Sequence, residues 1–393
     1  MSEPLRCVHH LGRAWRSDGG VVAMVLDLVA ALAEAGAQVT LLTGDARDVP
    51  ASWRGGGANV PEVVEHADLG GAKKLSEAAQ RVVEPVLREA EVLHLHTPWE
   101  PLNPDLAASA QRVGRPYVVT IHGMLDDWSM TNGGRLKALK KRAYLKLRGN
   151  TLMRRAASVQ CTAEAEREQA TRWVSGMTTA VIPCLVDARA MLELERPAPG
   201  ANSANDMADE SNAGRVLFLS RMHPKKRPDL VLEAAAELPT VNVVMAGPAD
   251  DAYGKGLLGR AEELSVSSRV DWLGMVVDEE KRRAFAEADV FVLPTSQENF
   301  GIVLIEAMAA GLPLVTTRGA DLWRELEAAG ATIVEAEASA IAGAIRAVLD
   351  HPAEAAARGQ RGRAWVEKEL SPSTVLGRYL NWYRQVVSSA SGG

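Results

Sequence analysis

The chain has 393 residues, which at ~100–200 residues per domain gives two or three domains, each large enough for its own core. Hydrophobic residues make up 47% and charged residues 24%, the composition of an ordinary soluble globular protein rather than a fibrous or disordered one. The formal net charge of −6 excludes a molecule that binds nucleic acid through its overall charge.

In chain order, the first landmark is the pair Gly19-Gly20, between a first strand and the amphipathic helix expected over Val21–Ala35. Short β-branched runs then alternate with Ala/Leu/Glu-rich stretches. Gln38–Thr43, Glu91–His96, Pro116–His122, Arg215–Ser220, Val241–Gly247, Arg269–Gly274 and Asp289–Pro294 are predicted as buried parallel strands. Helices are predicted between them, among them Leu136–Ala156 and Leu230–Glu237. The alternation implies βαβ units and doubly wound sheets. It breaks once, at 196–214, where Pro, Ala, Asn, Gly and acidic residues form a linker.

The expected architecture is therefore α/β, with two Rossmann-like doubly wound parallel-sheet domains facing across a cleft. The domains are expected at 1–195 and 215–370, followed by a last helix and tail over 371–393. Ser371 would cap that helix with Pro372 at its first position, and the tail would pack back on the N-terminal domain. Lys/Arg and Asp/Glu balance at 23 each over residues 1–195, so the second half carries the whole net charge.

Three cysteines, Cys7, Cys161 and Cys184, form no C-x-x-C pair and suit a reducing compartment without disulfides or zinc. The start of the chain lacks a basic segment followed by an apolar core, so no signal peptide is expected. The longest apolar stretch, Val21–Ala33, falls short of the ~20 residues that span a bilayer. A cytoplasmic location follows, with any membrane association peripheral.

Two segments offer phosphate and sugar chemistry. Ser220-Arg221-Met222-His223-Pro224-Lys225-Lys226 follows a strand and precedes a helix, where clustered cations suit a diphosphate; a solvated basic turn is the plainer alternative. In Ser296-Gln297-Glu298-Asn299-Phe300-Gly301-Ile302-Val303-Leu304-Ile305-Glu306 the turn opens a helix near Gly301, whose backbone N–H groups could hold phosphate oxygens. Glu298 and Glu306 can accept hydrogen bonds from paired sugar hydroxyls. Alternatively Glu298 only complements the helix dipole and Glu306 only faces solvent. His122 ends the strand before Gly123, a position that is more often structural than functional when taken alone. The Gly19-Gly20 turn could admit a phosphate, although such pairs are common in turns.

The pieces SRMHPKKRPDLVLEA and PTSQENFGIVLIEAMAAGLP, with TIHGM and the early glycine loop, resemble family-four retaining glycosyltransferases of the GT-B fold. Glu298 and Glu306 match that family's E-x7-E signature, and the likeness runs through nearly the whole chain in the right order. HLHTPWEPLN and PYVVTIHGMLDDWSM further resemble the group-one enzymes that build bacterial surface polysaccharides.

The resemblance implies that Arg221 and Lys226 bind the donor diphosphate and neutralise the leaving nucleotide. Glu306 would take the ribose hydroxyls, and Glu298 the hydroxyls of the transferred sugar, with Asn299, Phe300, Gly301, Ile302 and Val303 assisting through their backbone. His122 would face the sugar, and Gly20, beside Gly19, would lie against the diphosphate or acceptor. The partners implied are a nucleotide-sugar donor and a glycan or lipid-linked acceptor, with no cofactor and no metal. The sequence departs from the pattern at Ser220 and Arg227, which replace glycines, and at Cys184-Leu185, which stand where Asn-Gly is usual.

Residues Arg135–Arg155 carry nine Lys/Arg and no acidic residue, interleaved with Leu136, Leu139, Ala143, Leu147 and Leu152. This pattern fits either docking on an anionic membrane surface or a basic helix packed on its domain. Absent motifs narrow the field. No D-x-D occurs, which disfavours metal-dependent transfer, and no G-x-G-x-x-G follows the first strand. The Gly247–Gly256 stretch lacks the spacing of a Walker loop. The expected activity is retaining, metal-independent sugar transfer. A nucleotide-sugar epimerase or a non-catalytic binding subunit would share the architecture.

Overall fold

The computed structural model describes residues 3–66, 68, 74–131, 134–196 and 214–392, so the predicted linker, its two end residues apart, lies outside the described residues. The chain forms two compact units, one of residues 1–185 with 372–393 and one of residues 186–371.

The first unit holds seven parallel strands: β1 (Arg6–Leu11), β2 (Gln38–Thr43), β3 (Glu62–Glu65), β4 (Val92–His96), β5 (Tyr117–Thr120), β6 (Ser158–Cys161) and β7 (Thr179–Val181). Their order is β3-β2-β1-β4-β5-β6-β7, so the winding reverses between β1 and β4. One face packs on the helix Gly20–Glu34 and on the last helix, Pro372–Ser391. In the last helix Val375, Tyr379, Trp382, Tyr383 and Val386 recur at helical spacing and are buried. That apolar stripe ties the C-terminus to the sheet of the first unit. The other face packs on Glu77–Glu89 and Asn103–Arg112 through Val83, Leu87 and Leu106, which are fully buried.

The second unit holds six parallel strands: β8 (Gly214–Leu219), β9 (Val241–Ala246), β10 (Val270–Gly274), β11 (Val290–Leu293), β12 (Leu314–Thr317) and β13 (Thr332–Val334). Their order is β10-β9-β8-β11-β12-β13, reversing between β8 and β11. All four residues of β11 are fully buried, as a central strand covered on both faces requires. At about 1.5–3 kcal/mol per fully buried large side chain, such strands dominate the stability of the sheet.

The basic stretch departs from its predicted form. It is an α-helix over Arg135–Tyr144, a π-helical turn over Leu145–Gly149 and a further helix over Asn150–Arg155, not one regular helix. The register shift in the π turn rotates the apolar residues. Leu145, Leu152 and Met153 enter the core, whereas Leu136, Leu139, Ala143 and Leu147 face outward.

Candidate active site

In open α/β sheets, ligands gather outside the carboxyl ends of the strands where the winding reverses. In the second unit that point lies between β8 and β11, and the loops leaving these two strands carry the basic and acidic segments singled out above.

The loop after β8 is pulled in tightly. Ser220 N–H donates to the Ala246 carbonyl at 3.0 Å. A Cβ on Gly247 would stand 1.9 Å from the Ser220 oxygen, so only glycine fits there. Pro224–Lys226 form one 3-10 turn, and Arg227 then takes a left-handed conformation with φ of 53° at the start of the helix Pro228–Ala236. This explains the glycine usual at that position in the family. The Arg227 side chain forms an ion pair with Asp229 at 2.9 Å.

The basic loop is stapled to the turn after β11. The Lys225 carbonyl accepts from the Ser296 N–H at 2.7 Å and from the Thr295 hydroxyl at 3.0 Å. Lys225 Nζ donates to Gln297 Oε1 at 2.9 Å. Lys226 Nζ pairs with Glu298 Oε2, with the lysine side chain only 12% exposed. An ammonium has three donors, so this pairing leaves donors for a phosphate. Arg221 is exposed and makes no ion pair among the described residues. Burial and the nearby charges of Arg221, Lys225 and Lys226 lower the pKa of His223, a sign of the positive potential over this loop.

The acidic turn is equally fixed. Glu298 N–H donates to the Gly319 carbonyl at 2.8 Å, and the Glu298 carbonyl accepts from Asp321 N–H at 2.9 Å. Asn299 donates to the Asp321 carboxylate at 3.3 Å, and Phe300 is buried beneath. Gly301 has φ of 67° and caps the helix Ile302–Ala309. The N–H groups of Ile302 and Val303 sit in the first turn, where no intrahelical partner exists. Glu306 lies five residues into that helix and is not simply solvated: Lys281 Nζ holds its Oε1 at 2.6 Å. The remaining lone pairs of the carboxylate are sufficient for two hydroxyls. Lys281 had no motif around it, and only the fold brings it to Glu306.

In the first unit, Gly19 has φ of 112° and precedes the helix Gly20–Glu34, and a Cβ on either Gly19 or Gly20 would meet nothing within 4 Å. The space over that turn is open. His122 follows β5 with φ of 50°, beside Gly123 at 69°. A buried carboxylate clamps this bend: Glu166 Oε1 accepts from the Gly123 N–H, and Glu166 Oε2 accepts from the Thr162 hydroxyl at 2.7 Å. His122 Nε2 lies 3.1 Å from His96 Nδ1, whereas its own Nδ1 is buried with no hydrogen-bond partner among the described residues. Burial pushes its pKa down to about 4, so the ring is neutral at pH 7. Glu166 and His96 carry no local sequence signal, and neither does Glu100, whose carboxylate packs against Gly12 just after β1.

Comparison with known proteins matches both units to one family. Residues 19–184 match the profile of the glycosyl transferase 4-like domain, and residues 205–365 match that of the glycosyl transferases group 1. The chain belongs to the group 1 glycosyl transferases. Among curated relatives of the family, the D-inositol 3-phosphate glycosyltransferase of Mycobacterium tuberculosis is 40% identical over 103 residues. That match spans 25% of this chain and 22% of the relative. Among solved structures, Anabaena HepE in complex with UDP has a TM-score of 0.74 at 18% identity, covering 97% of this chain and 100% of that one. Sucrose-phosphate synthase of Thermosynechococcus elongatus has a TM-score of 0.69 at 20% identity, covering 98% and 100%. These likenesses establish the GT-B fold.

Proposed function

We propose that this chain transfers a sugar from a nucleoside-diphosphate sugar to a hydroxyl acceptor, with retention at the anomeric carbon and without a metal. The observation that carries this reading is the meeting of the Arg221–Lys226 loop and the Glu298–Glu306 turn at the point where the second sheet reverses. Bond cleavage builds negative charge on the departing diphosphate. Lys226 and Arg221, with the N–H groups opening the helix Ile302–Ala309, supply fixed positive charge for it. Glu306 takes the ribose hydroxyls and Glu298 those of the transferred sugar. The acceptor attacks from the face the leaving group occupies, and His122 and the Gly19-Gly20 turn serve substrate from the first unit. HepE was solved with UDP, which supports a uridine nucleotide as the first donor to try.

The acceptor we propose is a glycan or lipid-linked glycan reached at an anionic membrane surface. Leu136, Leu139 and Leu147 are 68%, 64% and 77% exposed among the lysines and arginines of 135–155, an arrangement that suits peripheral docking. No helix among the described residues is long and apolar enough to cross a membrane.

The test is incubation with radiolabelled UDP- and GDP-hexoses in excess chelator, with a bacterial lipid extract as acceptor, followed by product analysis. Labelled glycolipid is expected. A free epimerised nucleotide sugar would make the chain an epimerase, and an unchanged donor would leave it a binding subunit. Activity only after adding magnesium or manganese would overturn the metal-independent reading.

A further inference from the structure

Six of the eight histidines fall in the first unit, and four of them, His9, His94, His96 and His122, join one buried hydrogen-bond chain. The chain crosses β1, β4, β5 and β6 and reaches the last helix. His122 Nε2 meets His96 Nδ1 at 3.1 Å, and His96 Nε2 meets His9 Nδ1 at 3.0 Å. His9 Nε2 meets the Tyr383 oxygen at 3.3 Å, and that oxygen meets His94 Nδ1 at 2.6 Å. His94 Nε2 meets Thr120 Oγ1 at 2.6 Å, and Thr120 Oγ1 bonds to Gln160 Oε1. Gln160 Nε2 donates to the Ile182 backbone carbonyl at 2.6 Å and to the Tyr379 hydroxyl at 2.8 Å.

Proton counting fixes the direction of every link. A backbone carbonyl only accepts, so the Gln160 atom facing Ile182 is the amide nitrogen and the other is the oxygen. That oxygen only accepts, so the Thr120 hydroxyl donates to it, and Thr120 must accept from His94 Nε2–H. A neutral imidazole with its proton on Nε2 accepts at Nδ1, so the Tyr383 hydroxyl donates there. Tyr383 therefore accepts from His9 Nε2–H, His9 Nδ1 accepts from His96 Nε2–H, and His96 Nδ1 accepts from His122 Nε2–H. His122 is left with a bare lone pair on Nδ1, the one nitrogen of these four rings that has no partner among the described residues.

We propose that this one-way chain locks His122 in its Nε2–H tautomer, so that Nδ1 can only accept a hydrogen bond and the substrate group it receives is a hydroxyl, not a phosphate oxygen. His96, His9, Tyr383, His94, Thr120 and Gln160 are its positioning residues. Burial supports the neutral state that the counting assumes. It holds His9 near about 3 and His122 near about 4, and it drives His94 and His96 well below the ordinary histidine value. The far end is an amide, which takes up no proton at neutral pH, so the chain orients His122 without draining protons from it. Each link also polarises the next, which makes Nδ1 a better acceptor.

The same rings suggest a metal centre at first sight, because donor atoms of His9, His94 and His96 all lie within 4.8 Å of one another. Both nitrogens of each of these rings, however, are already engaged in the chain. A metal would have to break links that the tautomer lock uses.

The decisive measurement is long-range 1H–15N correlation on the full chain labelled with 15N-histidine at pH 7.5, with His122→Asn to assign its signals. Four neutral Nε2–H patterns are expected, that of His122 among them. Tyr383→Phe keeps the ring packing but removes the hydroxyl that turns the chain, and Thr120→Val removes the donor at its far end. Either variant should shift His122 to a tautomer mixture. In transfer assays kcat should fall about 10–100-fold, by analogy with the loss of partners that orient metal-binding histidines, with little change in KM. The kinetic arm rests on the function proposed above, whereas the spectrum does not, so inactivity toward every donor would leave the tautomer result standing. A His122 protonated on Nδ1 or on both nitrogens would overturn the proposal. So would His122 signals unmoved in both variants, or stoichiometric zinc uptake that abolishes the four patterns.

Discussion

The two units have the same layered fold and carry opposite kinds of polar machinery. At the reversal point of the second sheet the working groups are charged, partly exposed and paired: Lys226 with Glu298, and Lys281 with Glu306. At that of the first sheet they are neutral and buried, with His9 and His94 fully inside. The difference follows from what burial costs. A charge survives near the surface, where solvent and a partner share its field. Deep in a sheet the cheap solution is a neutral group with every hydrogen bond satisfied. On the function proposed here, the second unit would hold an anion and the first would orient a hydroxyl.

The largest effect expected is on the charged side. Lys226→Ala removes the cation proposed to meet the departing diphosphate and takes from Glu298 its ion-pair partner, so kcat should drop ~10²–10³-fold while KM changes less. Steady-state kinetics would show it. A raised KM at constant kcat would mean that Lys226 only holds the ground state.

Glu306→Ala should weaken binding of the nucleotide itself. A charge-assisted bond to a ribose hydroxyl is worth about 1.5–3 kcal/mol, or roughly 10–150-fold in affinity. Calorimetry with UDP and GDP measures it, and an unchanged affinity for both would remove Glu306 from the site.

On the neutral side the prediction concerns pH. His9 and His10 are held near about 3 and His122 near about 4, all below the unfolded value of 6.5. Below pH 6.5 the unfolded chain binds protons that the folded one refuses, so stability is fully present above that pH and lost as pH falls toward 4. Each such ring contributes about 1.4 kcal/mol per pH unit through this window. Urea midpoints between pH 7.5 and 4.5 should fall steeply, and His10→Leu should flatten the slope. A slope unchanged in that variant would show that His10 is not held neutral.

The smallest effect is expected outside both sites. Lys137→Gln should reduce sedimentation with anionic vesicles about five-fold at low salt, because each basic residue near such a surface contributes about 1 kcal/mol. Equal binding to neutral and anionic vesicles would discard the membrane reading.

Legibility in the sequence followed the same division. The charged site lies in two short segments, 220–226 and 296–306, so its residue types and spacing expose it, and the strand–helix alternation exposes the sheets on which it sits. Short strands such as β7 and β13 escaped because three residues carry no readable period. Lys281 escaped because nothing local marks a lysine on an otherwise ordinary helix. The histidine chain could not be read at all. Its members come from β1, β4, β5, β6 and the last helix, and the link from His94 to Tyr383 spans 289 positions. His94 and His96 by themselves look like any alternating strand. The π turn at Leu145–Gly149 was equally invisible, since its composition suits a regular helix.

The most direct test of the division between the units is amide hydrogen exchange on the whole chain, with and without UDP or GDP. The account predicts protection concentrated at residues 220–227 and 296–306, where backbone N–H groups and the paired charges receive the diphosphate and ribose. Nucleotide binding that leaves those two segments unprotected, or that protects only segments within residues 6–185, would contradict it.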